Sequence, residues 1–239
     1  MENKKSLYGW SVALFLAVTT LHLVCHGLEH PEWAAWTKPL LMPSLALVTF
    51  ARLRLAGLSA EPRAKAVIAA LLCGAAGDIF LMSSGEAMFI AGLLAFLAGH
   101  VSYFLSMPYS VLRKPLSSPT DFISLFVFLI LGGTVFTVLK GMSPGNWLLV
   151  GLYAMVFPFM AGLSLFCVKS SKKYWLTALG YLLFAFSDSL VAMAHFTGER
   201  VPLHGLIVMS TYILAQALIS KSLTDALAEA RGLHGGTDS

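Results

Sequence analysis

Eight stretches of this chain are apolar for long enough to cross the hydrocarbon core of a bilayer, which takes roughly 17 to 25 residues of helix. They run over about 8–26, 39–56, 64–83, 87–108, 121–139, 146–168, 175–196 and 202–221. Lipid offers no partner to backbone N–H and C=O groups, so each stretch is expected to satisfy them internally as an α-helix. The connections are short and rich in turn formers: Ser83-Ser84-Gly85, Pro115 with Ser117-Ser118-Pro119, Ser143-Pro144-Gly145, and Gly198 through Pro202. With 57% hydrophobic and 12% charged residues, the composition excludes a soluble globular domain. The expected fold is all-α: one polytopic bundle of eight transmembrane helices over residues 1–221, then a cytoplasmic tail over 222–239.

Basic residues set the orientation. With the N-terminus inside, only Lys38, Lys140 and Arg200 of the 16 Lys and Arg fall outside, as the positive-inside rule requires. Both termini are then cytoplasmic, in the inner membrane if the source is bacterial. The net charge of +4 reflects this topology; basic residues interleaved with aromatics on an exposed face are lacking, which argues against a nucleic-acid partner. Lys4 and Lys5 precede the first span, but Cys25-His26-Gly27 is a poor cleavage site and the span reads as an uncleaved helix. Cys25, Cys73 and Cys167 have neither disulfide nor metal spacing and read as small core hydrophobes. Trp10, Trp33, Trp36, Trp147 and Trp175 fall near span ends, as in an aromatic belt.

Asp78 and Asp188 lie deep in spans three and seven, with no basic residue in either span to neutralise them. An acid there is costly and marks a cavity, a partner or a proton path. Both spans run outward, and each aspartate lies roughly 20 Å from the cytoplasmic end of its helix, so the two share a level. The offset that carries Asp78 onto Asp188 also maps spans one to four approximately onto five to eight, as parallel repeats would. Two readings stand: a carboxyl pair whose proton affinities split into an acid and a base, or two separate acids, each hydrogen-bonded to its own neighbour.

Other polar residues inside spans are His22, near the aspartates' level, and His100 and Gln216, nearer the cytoplasm, with Tyr103, Tyr153, Tyr181 and Tyr212 as further hydroxyls. Such groups serve either a cavity or helix-to-helix hydrogen bonds. His22 with His26, and His195 with His204, raise a metal reading that needs three or four convergent ligands. Lys38 directly precedes Pro39, so a helix starting there would place its positive end beside a lysine and form a seat for phosphate; the alternative is a snorkelling lysine. Glu86 and Asp121 open spans four and five, where acids complement the helix dipole.

Lys38-Pro39-Leu40, Gly77-Asp78-Ile79-Phe80-Leu81-Met82, Ala95 through His100 with Tyr103, Ser187-Asp188-Ser189-Leu190-Val191-Ala192, and Tyr212 with Ala215-Gln216 together resemble the YhhN family of lysoplasmalogenases. The resemblance runs from span two to span eight and leaves out the first span, the Glu29 to Trp36 loop and the tail from Ser222 onward. It implies an intramembrane hydrolase that cleaves the vinyl-ether bond of lysoplasmalogens to a fatty aldehyde and glycerophosphocholine or glycerophosphoethanolamine. It further implies Asp78 and Asp188 as the catalytic pair, with Lys38, His100, Tyr103, Tyr212 and Gln216 as pocket groups. The partners are then a lysophospholipid substrate and membrane lipid, with no cofactor and no metal.

That chemistry suits two carboxyls. Protonation of the outer alkene carbon creates an oxocarbenium ion that water captures, and the paired carboxyls of glycoside hydrolases handle a similar cation. The apolar flanks Phe184, Ala185, Phe186 and Leu190 favour Asp188 as the acid, while Ser187 and Ser189 oppose that assignment. The phosphate would sit near the interface within reach of Lys38 or Arg200. Alternatives are a proton-coupled or lipid transporter, for which only Pro158 interrupts a span centrally, and a zinc-dependent lipid hydrolase.

Overall fold

The computed structural model describes residues 2–28, 30–108, 117–140 and 147–235. Their regular structure consists of eight α-helices: α1 (Glu2–Gly27), α2 (Pro31–Leu55), α3 (Pro62–Leu81), α4 (Glu86–Ser106), α5 (Pro119–Lys140), α6 (Trp147–Cys167), α7 (Tyr174–Thr197) and α8 (His204–Gly235). Stretches within α1, α3, α4, α6, α7 and α8 are long and apolar enough to cross a membrane. In α2 the apolar run is broken by Lys38 and closed by Arg52 and Arg54, and the described apolar part of α5 is the shorter Asp121–Ile130. The protein is a polytopic helical bundle. Large apolar side chains such as Trp36, Phe122 and Phe126 point outward, as they would toward lipid tails. The loop with Arg113, Lys114 and Pro115, the Ser143-Pro144-Gly145 turn and the side chains of Lys140 and Trp147 lie outside the described residues.

Neighbours in sequence are neighbours in space within each half: α1 on α2, α2 on α3, α3 on α4, and then α5 on α6, α6 on α7, α7 on α8. Across the halves, α8 packs on α1, α2 and α3, and α4 packs on α6. Close helix contact has the same origin in both halves. A methyl group on Gly99 of α4 would lie 3.0 Å from the Ala70 carbonyl of α3, and one on Gly180 of α7 would lie 3.0 Å from the Ala215 carbonyl of α8. Small residues at such crossings let backbones approach where lipid supplies no hydrophobic drive.

Two helices extend beyond their apolar stretches. α2 begins at Pro31, not at Pro39, so Pro39 and Pro43 both lie inside a continuous helix. Pro31 takes the first-turn position that favours proline, and Thr37 Oγ1 donates to the Ala34 carbonyl at 3.0 Å just before Pro39. The residues from Pro31 to Trp36, expected as a loop, are therefore helical, and Pro158 is not the only proline inside a helix. The positive end of α2 is two turns away from Lys38 and forms no phosphate seat with it. At the other end of the chain, α8 continues through Gly235, and Leu223, Thr224, Ala226 and Leu227 are buried. Arg52 forms an ion pair with Asp225, which Lys221 also meets at 2.9 Å, and Ser171 Oγ donates to Glu229 at 2.6 Å. The stretch after residue 221 is thus an amphipathic helical continuation clamped to α2 and to the α6–α7 turn.

Candidate active site

Asp78 lies in the last turn of α3 and is 3% exposed. Tyr212 of α8 donates its hydroxyl to Asp78 Oδ2 at 2.9 Å, and Lys38 Nζ of α2 stands 3.8 Å from Oδ1. Gln216, one helical turn beyond Tyr212, accepts the Tyr103 hydroxyl of α4 on Oε1 at 2.6 Å. Gly74 makes room for it, since a methyl group there would meet Gln216 Nε2 at 3.3 Å and the Tyr212 hydroxyl at 3.4 Å. Lys38, Asp78 and Tyr212 thus meet across α2, α3 and α8, and the Gln216–Tyr103 pair of α8 and α4 lies beside them.

Asp188 of α7 is partly buried and receives the hydroxyl of Tyr153 from α6. The serines beside it are engaged elsewhere: Ser187 Oγ donates to the Val208 carbonyl at 3.0 Å and Ser189 Oγ to the Ala185 carbonyl at 2.6 Å. Neither hydroxyl therefore opposes an acid role for Asp188. Asp78 and Lys38 are both within electrostatic reach of Asp188. Tyr153 is the member of this unit that residue types alone do not single out.

His100 does not share that hydrogen bonding. Its ring sits in an aromatic cage with centroids 4.9 Å from Phe184, 5.1 Å from Phe157, 5.7 Å from Tyr181 and 6.1 Å from Tyr153. Both ring nitrogens are buried without a hydrogen-bond partner among the described residues. The gap that His100 lines with Tyr103 and Gln216 is too narrow for a water molecule.

Of the metal candidates, His22 Nδ1 pairs with Thr37 Oγ1 at 2.8 Å, its ring packs edge-on against His26 at 4.8 Å, and His195 stacks flat on Phe89 at 3.8 Å. Among the described residues no three His, Cys, Asp or Glu side chains come together as ligands. Asp121 has a structural role at the start of α5, accepting the Ser117 and Ser118 N–H groups at 2.7 and 2.8 Å and Lys169 at 2.7 Å.

A cleft of about 760 Å³ opens at the end of the bundle that carries the α1–α2, α3–α4 and α7–α8 turns. Its apolar walls are Leu81, Phe89, Val191, Ala194 and Leu203, and Lys38 reaches into it. Lys38 therefore touches both the cleft and Asp78, while Val191 lies one helical turn from Asp188.

Fold and site together define a class: a multi-pass helical membrane protein with two tyrosine-held carboxyls, one of them joined through Lys38 to a cleft of about 760 Å³. The sequence profile of the YhhN family matches residues 33–223, and the chain belongs to that family. Lysoplasmalogenase TMEM86A of Homo sapiens is 28% identical over 175 residues, covering 71% of this chain and 69% of that protein. Lysoplasmalogenase TMEM86B of Homo sapiens is 31% identical over 153 residues, 64% of this chain and 61% of that protein. Lysoplasmalogenase TMEM86B of Sus scrofa is 28% identical over 219 residues, 91% and 87% respectively. No solved structure matches the chain.

Proposed function

We propose that this protein is an intramembrane lysoplasmalogenase that hydrolyses the vinyl-ether bond of a lysoplasmalogen by acid and base catalysis from Asp188 and Asp78. The observation that carries the reading is the unlike setting of the two carboxyls. Asp78 has the Lys38 ammonium 3.8 Å away, the counter-ion that an ionised base needs, whereas Asp188 is held by a neutral phenol. Relatives bearing the lysoplasmalogenase name over most of their length support the same reading.

In this reaction Asp188 donates its proton to the outer alkene carbon, leaving an oxocarbenium ion centred on the carbon that bears the ether oxygen. Asp78 takes a proton from water as the water oxygen adds to that carbon, giving a hemiacetal. Asp78 then returns this proton to the glycerol oxygen while Asp188 accepts the hemiacetal hydroxyl proton. The C–O bond breaks, aldehyde and glycerophospho-alcohol separate, and both carboxyls regain their starting states. Positioned proton transfer of this kind contributes about 10² to 10⁴-fold, and fixed negative charge facing the cation in a site shielded from water adds to it. The products are a fatty aldehyde and glycerophosphocholine or glycerophosphoethanolamine. The cleft faces outside, with both termini in the cytoplasm.

The test is aldehyde release by detergent-purified protein from a lysoplasmalogen and from its saturated alkyl-ether counterpart, each with and without chelator. Release from the vinyl ether alone, unchanged by chelator, is the expected result. Cleavage of the saturated ether, or loss of activity on chelation, contradicts a metal-free mechanism that begins by protonating an alkene.

A further inference from the structure

The aldehyde that vinyl-ether hydrolysis frees is an electrophile, and the site that would free it holds a primary amine. Lys38 Nζ stands 3.8 Å from Asp78 Oδ1, and the same side chain lines the cleft beside Leu81, Phe89 and Val191. Among the described residues no other lysine pairs with Asp78 or Asp188. Lys65, Lys172, Lys173 and Lys221 are exposed, and Lys169 is paired with Asp121.

The two partly buried lysines differ in how they are fastened. At 2.7 Å the Lys169 ammonium donates a hydrogen bond to its carboxylate, which occupies it. At 3.8 Å Lys38 has the charge of its partner without a direct hydrogen bond, and its side chain reaches the cleft. Lysine amines form Schiff bases with carbonyl compounds when held in an apolar pocket, and a carboxylate at this distance can take up and return the protons that such a step moves. Lys38 has both settings: apolar walls on one side and Asp78 on the other.

We propose that Lys38 is a covalent capture site for long-chain aldehydes, holding the product of the reaction as a reversible imine that limits further turnover. The inference rests on the hydrolase reading for the source of the aldehyde, while the capture itself needs only an aldehyde and the Lys38–Asp78 pair. The Lys38 ammonium first passes a proton to the Asp78 carboxylate. The neutral amine adds to the aldehyde carbon, forming the C–N bond, and one of its protons moves to the aldehyde oxygen to give a carbinolamine. Asp78 returns its proton to that hydroxyl, the C–O bond breaks, water leaves, and the nitrogen lone pair closes the C=N bond. One cation and one carboxylate stand in the site before and after, so no oxidant or reductant is consumed and no charge is left stranded. Addition of water reverses the sequence. The alkyl chain finds apolar surface in Leu81, Phe89 and Val191, which favours long aldehydes over short ones.

The test is reductive trapping on the detergent-purified full chain. Sodium cyanoborohydride converts an imine to a stable secondary amine, and peptide mass spectrometry locates the added alkyl group. Incubation with a lysoplasmalogen, or with hexadecanal alone, is expected to label Lys38 about tenfold or more above the exposed Lys172 and Lys173, with activity lost in step with the label. Propanal should label Lys38 about tenfold less than hexadecanal, and the saturated 1-alkyl lysolipid, which releases no aldehyde, should give no label. Lys38→Arg keeps the charge but offers no amine to the aldehyde, so the activity that remains should resist hexadecanal with cyanoborohydride. Labelling of Lys38 by hexadecanal no greater than that of Lys172 and Lys173, or equal inactivation of the Lys38→Arg variant, overturns the proposal. Selective labelling by hexadecanal with none from a lysoplasmalogen would uphold the capture site while removing the hydrolase reading.

Discussion

Asp78 and Asp188 each accept a tyrosine hydroxyl from a neighbouring helix, yet they are held in different ways. Asp78 is buried between α2, α3 and α8, with a cation on one oxygen, a tyrosine on the other, and the Gln216–Tyr103 pair nearby. Asp188 has the Tyr153 hydroxyl and lies partly open. Two acids in one bundle diverge when a helix brings a charged group into contact with only one of them. Here that helix is α2, and the charge is Lys38.

The comparison is broken most directly by removing that charge. Lys38→Met should lower kcat about 100-fold, since Asp78 then lacks its counter-ion, and Lys38→Arg should recover part of it. Steady-state aldehyde release measures this, and a Lys38→Met enzyme within threefold of wild type would mean that the ion pair does not distinguish the two acids.

The next effect is on stability. Asp78→Asn strands the Lys38 ammonium and is expected to destabilise the fold by about 2 kcal/mol, reduced from the fully buried case because Lys38 touches the cleft. Asp188→Asn strands no charge and should leave the thermal midpoint nearly unchanged. The double variant Lys38→Met with Asp78→Asn should regain stability, and equal shifts for the two single aspartate variants would erase the contrast.

The tyrosines sharpen the comparison at a smaller scale. Tyr153→Phe removes a hydrogen bond to Asp188 and should lower kcat about tenfold, a loss of about 1.4 kcal/mol within the range of a hydrogen bond to a charged or reacting group. Tyr212→Phe leaves Lys38 on Asp78 and should cost about threefold. A reversed order would place the better-supported acid at Asp188.

The smallest effect lies far from the site. Arg52→Gln at the partly exposed clamp to Asp225 should cost less than about 1 kcal/mol and leave turnover intact. A loss of activity there would link the α8 extension to the chemistry.

Much of this was legible in the residues. Long apolar stretches set the helices, and an uncompensated aspartate inside such a stretch stands out because so little else there is charged. The start of α2 was not legible. Pro39 after a lysine reads as a helix boundary, and the less apolar segment from Pro31 to Trp36 reads as a loop, because hydropathy reports lipid contact and not helix length. The extension of α8 was hidden for the same reason: Asp225, Glu229 and Arg231 end the apolar run but suit an amphipathic helix packed on its neighbours. Tyr153 was one of several spaced tyrosines, and its pairing with Asp188 depends on how α6 rotates against α7, which local pattern does not encode. His100 reads from sequence as a polar pocket group; the packing of α4 sets its ring among Phe157, Phe184, Tyr181 and Tyr153, contacts that depend on helix rotation.

Aldehyde release from a lysoplasmalogen by folded, detergent-purified Asp78→Asn and Asp188→Asn beside wild type is the most direct measurement. The expected result is robust release by wild type and a loss of about 10³-fold or more in each variant, with Asp188→Asn still binding the uncleavable alkyl lysolipid. Substantial release from either variant would contradict catalysis by the carboxyl pair.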